Sequence, residues 1–206
     1  MKSEKNLTSK GEKRREAIIQ TALQLFCENG YEKTSLEMII AQAGGSRRMI
    51  YSEFGGKEGL LQAVLADCSD LLSKPLRTII LADEAIDQSL ENIGVALVTN
   101  LLAPERVSFY RMLIRESPRF PEFGLQFLKM GPSMSYQLLG DYFNTQVKKG
   151  TLKLTNTTEA AITFIGMCKG DLQLKALFDP EFVVNPVKIR RSIKKTVALF
   201  LDGCRV

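Results

Sequence analysis

Not one histidine occurs in this 206-residue chain. That removes the side chain most used for general acid–base work and the commonest metal ligand. Phosphate-cradling loops are missing as well. Gly55-Gly56-Lys57-Glu58 lacks the upstream glycine and the trailing Ser or Thr of a Walker-type loop, and no Gly-x-Gly-x-x-Gly occurs. No nucleophile–base set or metal cluster can be assembled from the remainder. The expectation is therefore a non-enzyme, with no catalytic residue, no metal site and no cofactor. Long apolar runs are absent too: none approaches the roughly 18 residues that span a bilayer. The start, Met1-Lys2-Ser3-Glu4-Lys5-Asn6, has no apolar stretch behind it and so reads as no secretory signal. The expected location is the cytoplasm, with no membrane partner. Cysteine is scarce and scattered. Cys27, Cys68, Cys168 and Cys204 form no C-x-x-C pair and read as buried thiols. A redox sensor would need a thiol both exposed and low in pKa.

What is present is 45% hydrophobic and 25% charged, the balance of a globular protein with room for one core, or for a small module joined to a larger one. The net charge is +5, spread over both halves. Residues 1–15 are the exception, with six Lys or Arg against two Glu. Such a basic arm suits attraction to phosphates, and it equally suits a solubilised terminus.

Apolar residues recur with a helical period almost throughout, and no alternating strand pattern appears, so the fold class is all-α. Residues 12–29 align Ile18, Ala22, Leu25 and Phe26, with Gly30 as the stop. Thr34-Ser35-Leu36-Glu37 has the spacing of a capping box, with Thr34 as the cap of a short helix that Gly44-Gly45 ends. Ser46 caps a second short helix, Arg47 to Phe54. A long amphipathic helix then starts at Lys57 and carries Leu60, Leu61, Val64, Leu65, Cys68 and Leu72. Further helices are predicted near 84–102, 105–116, 121–149, 157–178 and 186–202, about nine in all, with Pro132 kinking or splitting the third of these. The division expected is residues 1–56 as arm and N-terminal module, and 57–206 as a larger domain reached through a connecting helix at 57–74.

Two short helices joined by a glycine turn form helix-turn-helix geometry. At 100° per residue, Ile50 and Phe54 share the inner face of the second helix, while Arg48 and Ser52 point outward and Met49 and Tyr51 flank them. An outward arginine can bond guanine O6 and N7 together, and the shorter groups can meet other base edges. Tyr51 and Thr34 suit phosphate oxygens, which fix register. Lys57 and the first amides of its helix can share a phosphate. With Ser35, Ser46 and Arg47, these make the candidate DNA-contacting set: Thr34, Ser35, Ser46, Arg47, Arg48, Met49, Tyr51, Ser52 and Lys57. A plain three-helix bundle with a solvated face shares the same periodicity.

The run Thr34-Ser35-Leu36-Glu37-Met38-Ile39-Ile40-Ala41-Gln42-Ala43-Gly44-Gly45-Ser46, followed by Ile50-Tyr51, Phe54, Lys57-Glu58 and Leu60-Leu61, resembles the TetR family of bacterial regulators. Phe26, Asn29, Gly30 and Tyr31 resemble the end of that family's first helix. The likeness covers residues 13–65. It implies Thr34 and Tyr51 on phosphates, Arg47 and Arg48 near bases, and Lys57 on the DNA backbone. Gly45 departs from the pattern, which has a small apolar residue there, and puts the rigidity of the turn in question.

The likeness also implies a larger half that binds a small-molecule effector and forms a homodimer. Phe109 to Glu116 and Pro118 to Glu122 resemble a subset of the family's sensor domains. Candidate lining residues are Phe109, Met112, Leu113, Phe123, Phe127, Met130, Met134 and Met167, since methionines and aromatics adapt to varied apolar ligands. The same residues at helical spacing also suit plain core. Arg111, Arg115 and Arg119 can meet an anion or pair with Glu116 and Glu122. The dimer is expected through 157–178 and 186–202. Ala161, Gly166 and Gly170 would allow close approach, and Ile189, Ile193, Val197 and Phe200 form an apolar stripe that suits either a partner or the chain's own core. The expected function is a repressor released from a palindromic stretch of double-stranded DNA by a small apolar or amphipathic ligand. A ligand-dependent activator, or a small-molecule or redox sensor without DNA binding, is the alternative.

Overall fold

The structure is a computed structural model and describes residues 9–82 and 84–206. Most of the basic arm falls outside these residues, and so does any account of the Leu72 side chain. Eleven α-helices and one isolated bridge, Leu152 to Arg205, make up its regular structure among the described residues.

α1 (Ser9–Asn29) turns its apolar stripe inward: Ile18, Ala22, Leu25 and Phe26 are all buried. It ends where Gly30 takes φ +84°, a left-handed conformation open to glycine without strain, and donates its amide to the Phe26 carbonyl at 3.0 Å. α2 (Leu36–Ala43) and α3 (Arg47–Phe54) are each capped by a serine. The Ser35 hydroxyl accepts from the Met38 amide and the Ser46 hydroxyl from the Met49 amide, both at 3.2 Å. The cap of α2 is thus Ser35, one residue later than the sequence predicts. Gly55 at φ +80° closes α3 on the Tyr51 carbonyl.

α4 (Lys57–Leu81) does not stop at Pro75 but runs through it. A proline lacks the amide N–H and its ring crowds the preceding turn, but buried Ser73 and Leu76 on either side hold the helix in place. α5 (Ile86–Leu101), α6 (Pro104–Glu116), α7 (Pro121–Met130) and α8 (Pro132–Lys148) follow. α6, α7 and α8 each begin with proline, where the missing amide costs nothing. The predicted 121–149 helix is therefore split at Gly131-Pro132. The predicted 157–178 helix is split at Gly170 into α9 (Thr157–Lys169) and α10 (Leu172–Phe178). α11 (Pro186–Asp202) matches its predicted span.

Two apolar clusters result. The larger binds α5, α8, α9 and α11, with Leu90, Phe143, Phe164 and Ile193 at its centre. The smaller unites α1–α4 with Phe109, Met112 and Leu113 of α6 and Phe123 of α7. Ile189, Ile193, Val197 and Phe200, expected as a possible dimer stripe, belong to the larger cluster, as does Ala161. They cover the chain's own core because α11 lies against α5 and α9, and a helix can bury one stripe in only one place. No helix among the described residues is long and apolar enough to cross a membrane.

Candidate nucleic-acid interface and cavity

α3 lies as its periodicity requires. Ile50 is fully buried and Phe54 half-buried, while Arg48 and Ser52 are exposed. Burying Ile50 contributes about 2 kcal/mol and fixes the rotation of the helix. The guanidinium of Arg15 lies 5.4 Å from the centre of the Phe54 ring, so α1 braces the far end of α3. Tyr51 is 60% exposed, with Gly56 under its ring. Arg47 is exposed and pairs with Glu37 of α2, whose carboxyl this hydrogen bond holds below its usual range. Ser35 and Ser46 are occupied as caps, although their hydroxyls stay at the surface.

Three of the expected residues sit differently. Thr34 is fully buried, and its hydroxyl donates to the carbonyls of Leu25 and Gly30 at 3.0 and 2.8 Å. It ties α2 to the end of α1 and cannot offer that hydroxyl to a phosphate, a correction to the role inferred from its spacing. Met49 is half-buried, its methyl folded over Gly45. Lys57 bends back over the corner between α1 and α2. Its ammonium donates to the Glu32 carbonyl at 3.0 Å and lies 4.5 Å from the centre of the Tyr31 ring. Burial lowers its pKa, against the pull of Glu32 and Glu116.

The turn between α2 and α3 answers the question raised by Gly45. Gly44 and Gly45 have φ of +74° and +110°, and a Cβ on Gly45 would meet the Met49 methyl. The turn here is built for glycine, and Met49 takes the space a side chain would fill. A further glycine escaped the sequence reading. A Cβ on Gly59 would overlap the Phe54 carbonyl oxygen, so the first turn of α4 sits directly on the end of α3. The only signal was a helix-weakening residue in the first turn of an otherwise strong helix.

A cavity of about 270 Å³ lies in the larger half, lined from α4, α5, α6, α7, α8, α9 and α10. Of the expected lining residues, Phe109 and Phe127 reach it, with their rings 5.5 Å apart. Met112, Leu113 and Phe123 face the smaller cluster instead, because α1 packs on that side of α6. Met130 is half-buried away from the cavity, Met134 is 41% exposed, and Met167 packs against the larger cluster. Arg106, Tyr110, Tyr136 and Lys169 line the cavity without having been expected to. Arg111 turns to α10, donating to the carbonyls of Ala176 and Leu177 at 2.8 and 2.9 Å, and Arg119 pairs with Glu32.

α7 links the two sites. Its far end supplies Phe127 to the cavity, and its near end sets Phe123 and the preceding Phe120 against Tyr31, at ring separations of 4.8 and 5.4 Å. Three of the thiols sit where burial disfavours the thiolate. Burial pushes Cys27 and Cys68 up to about 11 and Cys168 to about 12. No cluster of three or more His, Cys, Asp or Glu able to hold a metal occurs among the described residues.

Comparison with known proteins agrees in both halves. The family model described as bacterial regulatory proteins, tetR family, matches residues 18–64. That of the AefR-like transcriptional repressor C-terminal domain matches residues 88–203. The transcriptional regulator YvkB of Bacillus subtilis is 25% identical over 186 residues, which cover 90% of this chain and 94% of that one. SrpR of Pseudomonas putida is 33% identical over 106 residues, 52% of this chain and 48% of its own. Among solved structures, a TetR-family regulator of Mesorhizobium loti superposes with a TM-score of 0.86 at 21% identity, covering 97% of this chain and all of that one. The flavonoid-responsive regulator FrrA superposes at 0.76 with 23% identity, covering 94% and 98%. At such identities these two likenesses establish the fold alone.

Proposed function

This chain belongs to the TetR family of bacterial helix-turn-helix transcriptional regulators, and we propose that it is a dimeric repressor released from its operator by a small molecule in the cavity beneath α7. One observation supports this reading: α7 touches the cavity through Phe127 and the corner between α1 and α2 through Phe123, which packs on Tyr31. A ligand that favours a different setting of α7 therefore acts on Tyr31 and on Lys57 above it. Because a ligand shifts an equilibrium only by its differential affinity, DNA binding falls by that same amount.

On the DNA, Arg48 reads a base edge, with Ser52 and Met49 beside it, while Tyr51, Ser35 and Ser46 meet phosphates. Arg47 leaves Glu37 for the duplex, since an exposed ion pair is worth little and a line of phosphates offers more. Lys57 swings from the Glu32 carbonyl to a phosphate, joined by the first amides of α4, where Gly56 provides no side-chain cap. Residues 1–56 form the reading module, 57–74 the connection and the remainder the sensor. The dimer forms through the outward sides of α9–α10 and α11, where Ile162, Leu174, Val187 and Leu199 are exposed and Gly166 faces open space. Such a protein works in the cytoplasm, where its DNA is.

Genomic fragments selected by the purified protein test this reading. The expected footprint is two inverted half-sites about one helical turn apart, roughly 34–36 Å, or a multiple of that. Protein that shows no salt-dependent retention on any duplex sinks the repressor reading in favour of a sensor without DNA binding. Leu199→Arg combined with Ile162→Arg is expected to leave a monomer in sedimentation, with operator affinity reduced to that of one half-site.

A further inference from the structure

The cavity holds a buried cation. Arg106, in the first turn of α6, is 7% exposed and lines the cavity with its side chain. Its polar neighbours there include the Cys68 thiol and the Tyr110 phenol, neither of which carries the negative charge a guanidinium matches. Lys169 adds a second cation to the wall, and Tyr110 and Tyr136 add phenols. No carboxylate occurs among the described lining residues. Tyr110 is a neutral phenol, its pKa pushed by burial further up to about 12, and supplies a hydroxyl to the wall. The remaining wall is largely apolar, with Leu97, Ile165, Phe109 and Phe127 prominent.

A guanidinium withdrawn from water is costly unless an anion meets it, and buried charges are ordinarily paired. A neutral apolar ligand in this cavity would strip the remaining solvation from Arg106 and return nothing. An anion would offset that cost with charge-assisted hydrogen bonds, for which a guanidinium fork and a carboxylate match in shape. Resting on the reading of this cavity as the effector site, we propose that the effector is a small amphipathic anion. It is a carboxylate or phenolate on an apolar ring or chain, with its charged head on Arg106 and its body against Phe109 and Phe127. The volume, near the lower end of the usual range for ligand pockets, suits a molecule of one or two rings or a short chain.

The test uses the full-length protein and pairs of probes alike in shape but not in charge: 2-naphthoate with 2-naphthamide, and octanoate with octanamide. Calorimetric titration is expected to give the acid of at least one pair a Kd roughly ten- to a hundredfold below that of its amide. Arg106→Gln is expected to erase this preference while leaving amide binding in place. Amides that bind wild-type protein as tightly as their acids overturn the proposal and leave the effector site standing. If neither member of either pair binds, both readings fall. Where Arg106→Gln does not fold, Arg106→Lys decides: weakened but preserved selection of the acid supports the pairing, and unchanged acid affinity overturns it.

Discussion

The corner at residues 34–57 and the cavity around Arg106 are held by opposite means. In the corner, each step of the chain is determined by its neighbours: Ser35 and Ser46 cap, Gly44 and Gly45 turn at positive φ, and Gly55 closes α3. The cavity has no such local determinants. It is the space left where α4, α5, α6, α7, α8, α9 and α10 meet, and its lining residues come from positions scattered between Cys68 and Gln173. A part that must present the same face to every copy of its target is fixed locally. A part that must be tunable to a ligand is fixed only by how long helices pack.

The sharpest way to break this contrast is through glycine. Gly59→Val forces a side chain into the Phe54 carbonyl and is expected to cost about 3 kcal/mol by thermal melting, with operator binding lost alongside. Gly166→Ala, whose added Cβ meets nothing within 4 Å in its own protomer, is expected to be neutral or to stabilise by about 0.5–1 kcal/mol when made in the Leu199→Arg, Ile162→Arg monomer and melted in the same way. Equal effects at the two sites would erase the distinction. Next in size is Arg48→Ala, expected to weaken operator binding roughly 10- to 100-fold with nonspecific binding intact. Lys57→Ala, by contrast, is expected to weaken binding to all sequences and flatten the salt slope. Titrations against operator and scrambled duplex over a range of salt separate the two.

Smaller is Ser46→Ala. It removes the cap of α3 and is expected to cost about 1 kcal/mol in urea unfolding, with a matching loss at Ser35. A null result at either serine would show that tertiary packing, not the cap, sets that helix. The last test concerns the larger half and is read as a dependence on pH. Burial raises the Cys168 thiol to about 12. Its stabilising contribution is therefore complete below the ordinary thiol pKa and is lost as pH rises towards the folded value, because the unfolded chain gives up its proton first. Stability is expected to decline between about pH 9 and 12, less steeply in Cys168→Ala, as followed by urea midpoints.

The same contrast explains what could be read in advance. The inward turn of Ile50 and Phe54 and the exposure of Arg48 and Ser52 follow from a period and two glycine stops, all within twenty residues. Thr34 was misplaced because adjacent hydroxyls give nearly the same capping spacing, and only the carbonyls of Leu25 and Gly30, on another helix, decide which one turns inward. The sensor half resisted for a related reason. Met112 and Phe109 are three residues apart on one helix, yet which of them meets a ligand depends on where α1 and α7 cross α6. The stripe on α11 was legible as a stripe, but periodicity cannot say whether the chain or a partner covers it. Arg106 carried no signal at all, since an arginine in the first turn of a helix is ordinarily solvated.

The smaller apolar cluster has a consequence for engineering. Phe109, Met112, Leu113 and Phe123 complete the packing of a head they do not belong to in sequence. A chimera that grafts the first 56 residues onto another regulator's body would leave that head with an open flank and no grip on Tyr31. The transplantable unit includes α6 and α7, so on the mechanism proposed above, specificity for DNA and the apparatus that releases it would be inherited together.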